Sequence, residues 1–459
     1  MSTSKININS WLQSSYVLLV IQQAIVASSS IWLTWLILGV SEGQPSLTWL
    51  WLYLVSLILP YLPGAFALIQ VSKTQIKSCV NYIQEFSQLY PGKILKWSDR
   101  EQRSTISSIL SGEACPTING YIEYLYHLVS SGLNVFFNLF VLAALINSSL
   151  LITYAIGVTL SLIILYSQKS FKTKLALKAQ ESRIQWTSLL IKSWDNILIN
   201  NLYNLNIWNR KASIQGKNLT ENTITLEKFN QLIGIIMAFA LILPSMMLIT
   251  YLAMMNLENL AFLATLIVLF PRLFQVLTYS YELLFFISDF PVQKAKLNTV
   301  LSVIKSPELD ENNDALWKRV HWNKIYFKQP LEGIISAKDL LFKLPNNGRI
   351  TLHGENGSGK TSFLLLLKMQ HNTSAFYLPS KHDLLFEELE NNKLSTGQQA
   401  FKALKEIKEK VDTPIILLDE WDANLDKKNR HELSMLIDEL SLNHCIVEVL
   451  HVKQEDSPP

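Results

Sequence analysis

The chain has 459 residues and a formal net charge of +3, with 49% hydrophobic and only 17% charged residues, against about 25% charged in an ordinary globular protein. That length accommodates two or three domains, and the small net charge, without any block of like charge, argues against a nucleic-acid partner. Three scattered cysteines, Cys79, Cys115 and Cys445, make neither a disulfide framework nor a metal-ligand spacing and are expected to be reduced.

The N-terminal residues MSTSKININSWLQSS lack a signal-peptide pattern with its small-residue cleavage site, so the first apolar stretch is expected to stay in the protein. Six stretches are long and apolar enough for the ~20 residues that a membrane-crossing helix needs: 11–38, 47–69, 122–146, 150–166, 232–254 and 260–287. The connections SEGQPS, NSS and NLEN carry no Lys or Arg. The two long connections are basic, with Lys73, Lys77, Lys93, Lys96, Arg100 and Arg103 in one and Lys169 to Lys228 bounding ten cations in the other. Positive charge stays cytoplasmic, so both termini and both long connections are expected on that side. The long connections carry few Gly or Pro and are expected to be helical extensions of the spans. In the second, the Asn-rich run 201–210 is the expected turn.

Arg272 and Glu282 lie in the sixth span. Ionisable groups at such depth face a bundle interior or a water-filled path, so Arg272 is a candidate for the substrate path or for pairing with another helix. Pro60, Pro63, Pro244 and Pro271 are expected to kink their helices. Residues 288–320 are polar, include DENND, and read as a short helix and a linker. From there KIYF, RITLHG, AFYL, PIILLDE and CIVEVLH alternate with helical segments, the pattern of an α/β domain with a mostly parallel sheet. The expected division is a transmembrane domain at 1–310, a linker at 311–319 and the α/β domain at 320–459.

Gly354, Glu355, Asn356, Gly357, Ser358, Gly359, Lys360 and Thr361, followed by Ser362, fit a P-loop between a strand and a helix. Its glycines let backbone N–H groups face phosphates. Lys360 is placed to reach the outer phosphates and the Thr361 hydroxyl to bind Mg²⁺. Asp419 and Glu420 close an apolar strand in the Walker B manner, Asp419 for Mg²⁺ and Glu420 as general base for the attacking water.

Between these motifs stands Leu394-Ser395-Thr396-Gly397-Gln398-Gln399. It resembles the signature of ABC proteins, with Thr396 where Gly is usual. Ala423-Asn424-Leu425-Asp426 resembles the D-loop, and His451 the switch histidine. The whole order resembles an ABC exporter half-transporter: a six-helix, all-α transmembrane domain followed by an α/β P-loop ABC ATPase domain. The resemblance implies ATP and Mg²⁺, catalytic roles for Glu420 and His451, and a homodimer in which Ser395, Gly397 and Gln398 meet the nucleotide held by the other copy. It further implies ATP-driven export, of a peptide or peptide-like toxin first and of a drug or lipid next, across a bacterial-type inner membrane. A membrane-bound, ATP-dependent sensor that moves nothing is the alternative.

The chain departs from that family in three ways. Only 34 residues (361–394) separate Lys360 from Ser395, so a reduced helical subdomain is expected. Ser380 stands where the family places a glutamine near Mg²⁺. The aromatic that stacks on adenine is not singled out among Tyr326, Phe327 and Phe342.

Overall fold

The structure, a computed structural model, describes residues 10–44, 46–99, 102–103, 106–107, 109–199, 201–305, 314–327, 336–387, 396–423 and 425–450. It divides into two compact units, one of residues 1–84 with 109–305, the other of residues 85–108 with 306–459.

The first unit is all helix: α1 (Ser10–Ser41), α2 (Leu47–Ile58), α3 (Tyr61–Leu89), then, after α4 (Ile94–Ser98) of the second unit, α5 (Ala114–Leu145), α6 (Ser149–Ile191), α7 (Ser193–Leu198), α8 (Leu202–Met255) and α9 (Leu260–Lys305). Among the described residues, six helical segments are long and apolar enough to cross a membrane, with α2 and α3 together forming the second. Pro60 separates α2 from α3, since it offers no N–H and its ring clashes with the preceding turn. Pro244, Pro271 and Pro291 lie inside continuous helices. At ~1.5 Å per residue, the 54 residues of α8 far outrun a hydrocarbon core of ~30 Å.

Three expectations are corrected here. The run 201–210 is not a turn: helix resumes at Leu202, and the chain breaks at Lys192 and Ile199, on either side of α7. Leu205 and Trp208 share one half-buried face at helical spacing, while Asn204, Asn206 and Asn209 point outward. Residues 288–305 are likewise not a separate short helix but the end of α9. Leu297, Val300, Leu301 and Ile304 recur there on one buried face, and the Tyr82 hydroxyl of α3 donates to the Val300 carbonyl at 2.9 Å. Finally, Cys79 and Cys115 are not separate thiols. Packing of α3 on α5 brings their Cα atoms to 5.2 Å and the two sulfurs into a disulfide, within the usual Cα spacing for such a bridge.

With little water to serve polar groups between membrane helices, those groups pair across helices. The Asn134 amide of α5 donates to the Gln23 side-chain oxygen of α1 at 2.7 Å. The Tyr154 hydroxyl of α6 donates to Ser280 Oγ of α9 at 2.6 Å. Small residues permit close approach: a Cβ on Gly157 would lie 3.0 Å from the Leu241 Cα and 3.1 Å from the Ala240 carbonyl oxygen.

The second unit is built on a five-stranded sheet, β1 (Tyr326–Phe327), β2 (Gly348–His353), β3 (Ala375–Leu378), β4 (Ile415–Asp419) and β5 (Cys445–Val449), in the order β1-β2-β5-β4-β3. Among the described strands, only β1 runs antiparallel. All five strands expected from the sequence are present. Its helices are α10 (Asp314–Trp317), α11 (Ala337–Phe342), α12 (Lys360–His371), α13 (Thr396–Lys410) and α14 (Lys427–Ser441). Strand alternation sorts the core into two faces. Ile350, Leu352, Leu417, Val447 and Val449 pack with Phe363 and Leu367 of α12. Leu378, Ile416, Leu418 and Ile446 pack with Leu404 of α13 and Leu433 and Ile437 of α14. Both faces are covered, which is why β4 and β5 are buried throughout. Among the described residues, α13 is the sole helix between β3 and β4.

The second face also holds a buried charge. Glu448 is 0% exposed. It accepts from Arg349 through both oxygens, at 2.8 and 2.9 Å, from the Thr351 hydroxyl at 2.7 Å and from the Trp421 indole at 2.8 Å. Arg349 also donates to Ser434 Oγ and Asp438 at 2.8 Å.

Two substitutions test these contacts. Gly157→Leu must push α6 from α8 and is expected to cost about 1–3 kcal/mol, read as a lower melting temperature in detergent; Gly120→Leu, in open space, leaves it unchanged. Glu448→Gln leaves the Arg349 charge without its principal counter-ion and is expected to cost about 3 kcal/mol by the same measurement.

Candidate active site

Parallel sheets carry their sites at the carboxyl ends of the strands, and the motif residues gather there. The chain leaves β2 at His353, passes through Gly354–Gly359 and enters α12 at Lys360. Gly357 and Gly359 have φ of 83° and 91°, a conformation open to glycine at no steric cost. The loop lies tightly on residues 319–324: a Cβ on Gly354 would sit 2.5 Å from the Lys324 carbonyl oxygen, and one on Gly359 would run into that of Arg319. The His321 N–H donates to the Ser358 carbonyl at 3.0 Å. The loop and the N-terminus of α12 together form the kind of backbone concavity that binds anions.

Lys360 is 9% exposed. Its ammonium donates to the Gly354 carbonyl at 2.8 Å and the Glu355 carbonyl at 3.2 Å. Burial lowers its pKa, while Glu420 and Asp419 act to raise it. Ser358 Oγ is buried without a hydrogen-bond partner. Glu355 forms an ion pair with Lys324 at 3.1 Å on the exposed rim, a contact worth little.

Asp419 ends β4, on the face that carries Leu417 and α12, and is 3% exposed. The Thr361 hydroxyl, in the first turn of α12, donates to its Oδ1 at 3.1 Å, and the Tyr377 hydroxyl of β3 donates to its Oδ2 at 3.1 Å. Burial raises the Asp419 pKa and Glu420 adds to the rise, against the two hydroxyls and Lys360, which lower it. Tyr377 is pushed far above the ordinary tyrosine value, by burial first and then by Asp419, so it remains a donor at any working pH. Glu420 follows with φ 47°, strained backbone for a residue with a Cβ. Its N–H donates to the Val449 carbonyl at 2.8 Å, and its carbonyl accepts from Ala423 N–H at 3.1 Å. Trp421, the next residue, is held by Glu448. The strained turn is therefore clamped on both sides.

Asn356, Gly357, Gly359, Lys360, Thr361, Ser362 and Glu420 line a cavity of about 400 Å³, joined by Arg319. The glycine cradle, the unpartnered Ser358 hydroxyl and an ammonium resting on backbone carbonyls fit a polyphosphate. Thr361 Oγ with the Asp419 carboxylate fits a hard divalent cation that keeps several waters.

Other expected residues lie elsewhere. Ser380 is exposed beyond β3 and does not line the cavity; it is Tyr377, on the strand itself, that reaches Asp419. Gly397 stands at the start of α13 and Gln398 is exposed on it. Asp426 is the N-cap of α14, its carboxylate accepting from the Asn429 N–H at 2.7 Å. Ser395 and His451 lie outside the described residues. In the first unit Arg272 donates to Gln275 at 2.9 Å and to Ser29 of α1 at 2.7 Å. Of the aromatic candidates, Phe327 packs on the core, Phe342 is exposed, and Tyr326 stacks on His353 with centroids 5.8 Å apart. Tyr377 and Arg319 carry no motif and were not anticipated. The cue for Tyr377, its place two residues along the register from Asp419, is visible only once β3 and β4 are known to be neighbours.

No protein-family model matches the chain, and no curated protein sequence matches it. Among solved structures it is similar to a bacterial Atm1-family ABC exporter with ATP bound, at 11% identity and a TM-score of 0.67, over 97% of this chain and 92% of that one. Such identity speaks for the fold alone: the chain has the fold of an ABC exporter.

The Asp419 environment sets a pH dependence. Its raised pKa means that, without metal, the folded chain holds this proton more tightly than the unfolded one. The associated stability is present below the ordinary carboxylate range and is lost as pH rises through the folded pKa. Asp419→Asn, uncharged throughout, is expected to melt above wild type at pH 8 without Mg²⁺ and to converge with it on acidification. A lower melting temperature at pH 8 contradicts this account of the carboxylate.

Proposed function

We propose that the chain is one half of an ATP-driven exporter, working as a pair of identical chains. The observation that carries this reading is the 3.1 Å hydrogen bond from Thr361 to Asp419. It joins two motifs far apart in sequence beside a cavity lined by Lys360, Thr361 and Glu420. In this reading Gly354–Ser362 wrap the phosphates, and Lys360 leaves its carbonyl partners for the outer phosphate oxygens. Thr361 and Asp419 would hold Mg²⁺. Glu420 draws the proton from the attacking water. The similar exporter's bound ATP accords with this assignment.

The pairing of chains is supported by the fold of an ABC exporter and by the signature-like sequence at the start of α13. Ser395, Gly397 and Gln398 then serve the site of the other copy, His451 contacts the outermost phosphate, and two equivalent composite sites result. The basic connections support a cytoplasmic nucleotide unit, and a peptide or peptide-like substrate is the first class to assay. Closure of two nucleotide units on ATP shifts the membrane units toward an outward-facing state through their different affinity for ATP.

The test is ATP-dependent accumulation of labelled peptides in inside-out proteoliposomes, beside ATP turnover. Glu420→Gln is expected to lower turnover about 100-fold or more, and Lys360→Ala to abolish both turnover and accumulation. Turnover per chain falls on dilution in detergent if the sites are composite. Transport that persists in Glu420→Gln refutes the reading, and turnover that drives no candidate substrate favours a sensor.

A further inference from the structure

From the contact of Tyr377 with the Asp419 carboxylate, and of Trp97 with Tyr377, we propose that Tyr377 is the positioning residue of the metal site, itself held by the connection between the second and third spans. This deepens the proposed function and rests on its assignment of Asp419 to Mg²⁺.

Strand register makes the first contact. Tyr377 pairs with Leu417 in the parallel ladder, and Leu378 with Leu418. Asp419 is therefore two positions beyond the partner of Tyr377. Diagonal neighbours two residues apart share a face and lie within reach of a long aromatic side chain. The phenol spans that diagonal, and its hydroxyl meets Oδ2 while Thr361 meets Oδ1. Two donors, one on each oxygen, fix the plane of the carboxylate. They differ in what they can do next. Thr361 lies on the cavity wall, where its hydroxyl oxygen would serve a bound metal. Tyr377 holds the other oxygen from the neighbouring strand, as partners behind metal ligands do.

The second contact holds the phenol in turn. Trp97, in α4, meets the Tyr377 ring edge to face, with centroids 5.9 Å apart and planes at 89°, a favoured aromatic geometry. Ile94 and Leu95 of the same short helix pack on the core cluster to which Tyr377 belongs. The Arg103 guanidinium lies over the Trp97 ring, 5.5 Å from its centroid. All of these residues belong to the second unit. Yet the segment that supplies Trp97 is continuous in sequence with α3 on one side and α5 on the other. A displacement of α4 reaches the metal ligand through one ring and one hydroxyl.

The experiment uses the full chain in lipid and two substitutions. Tyr377→Phe keeps the ring against Trp97 and removes only the hydroxyl. It is expected to raise the Mg²⁺ concentration for half-maximal ATP turnover about tenfold, with KM for ATP at saturating Mg²⁺ unchanged. Trp97→Leu keeps the hydroxyl and shifts the Mg²⁺ dependence in the same direction. The double variant is no worse than Tyr377→Phe alone, since Trp97 acts through Tyr377. Electron paramagnetic resonance of Mn²⁺ binding with ADP repeats the ordering without turnover.

An unchanged metal dependence in Tyr377→Phe overturns the proposal, even if the protein melts lower, since that pattern belongs to packing. Additive losses in the double variant overturn the role of Trp97. Wild-type turnover that is insensitive to Glu420→Gln counts against the proposed function instead, and Mn²⁺ binding then still decides the role of Tyr377.

Discussion

The second unit depends on one carboxylate kept where carboxylates are costly. Asp419 ends a strand whose residues are all buried, and burial alone pushes it toward its neutral form. What makes the position tenable is hydrogen bonding, with one hydroxyl from the helix after the glycine loop and one from the neighbouring strand. Each donor brings its own element into register with β4. The glycine loop, β3 and the strained turn at Glu420 are consequently organised about the same atom pair. A metal at this point would meet a carboxylate already oriented and already short of solvation, which favours capture.

A second buried carboxylate does different work. Glu448 lies in the neighbouring strand β5, on the opposite face of the sheet, and is fully partnered within the protein. Its charge has no access to a ligand. Its use is to fix Trp421, and through Trp421 the far end of the turn in which Glu420 takes its unusual φ. One buried acid is left partly satisfied, at the cavity; the other is satisfied completely, behind it. The membrane unit follows the same rule. Gln23 meets Asn134, Tyr154 meets Ser280 and Arg272 meets Ser29, so that polar side chains join helices that hydrophobicity alone would not order in lipid.

Much of this was legible beforehand because it rests on local pattern. The six apolar stretches, the five strands and the glycine loop each carry their signal within about twenty residues or fewer. Where local signals misled, a longer-range pattern won. The Asn residues of 201–210 suggested a turn, yet Leu205 and Trp208 extend a helical face through them. The polar stretch after 288 suggested a boundary, yet Leu297, Val300, Leu301 and Ile304 continue the buried stripe of α9. Cys79 and Cys115 carried no spacing of their own and were joined only by the packing of α3 on α5.

By itself the sequence determined the membrane character of the first unit, the α/β class of the second and the candidacy of Lys360, Thr361, Asp419 and Glu420, since composition, period and motif are properties of short stretches of chain. Only the tertiary structure decided what stands around Asp419. Ser380, the expected neighbour, is exposed beyond β3, while Tyr377 reaches the carboxylate because β3 and β4 are adjacent, parallel and in one register. Trp97 reaches Tyr377 because a connection between membrane helices folds onto the same core. Neither relation has a local signature, because strand order and register follow from how whole faces are buried, and no single stretch of residues contains that information.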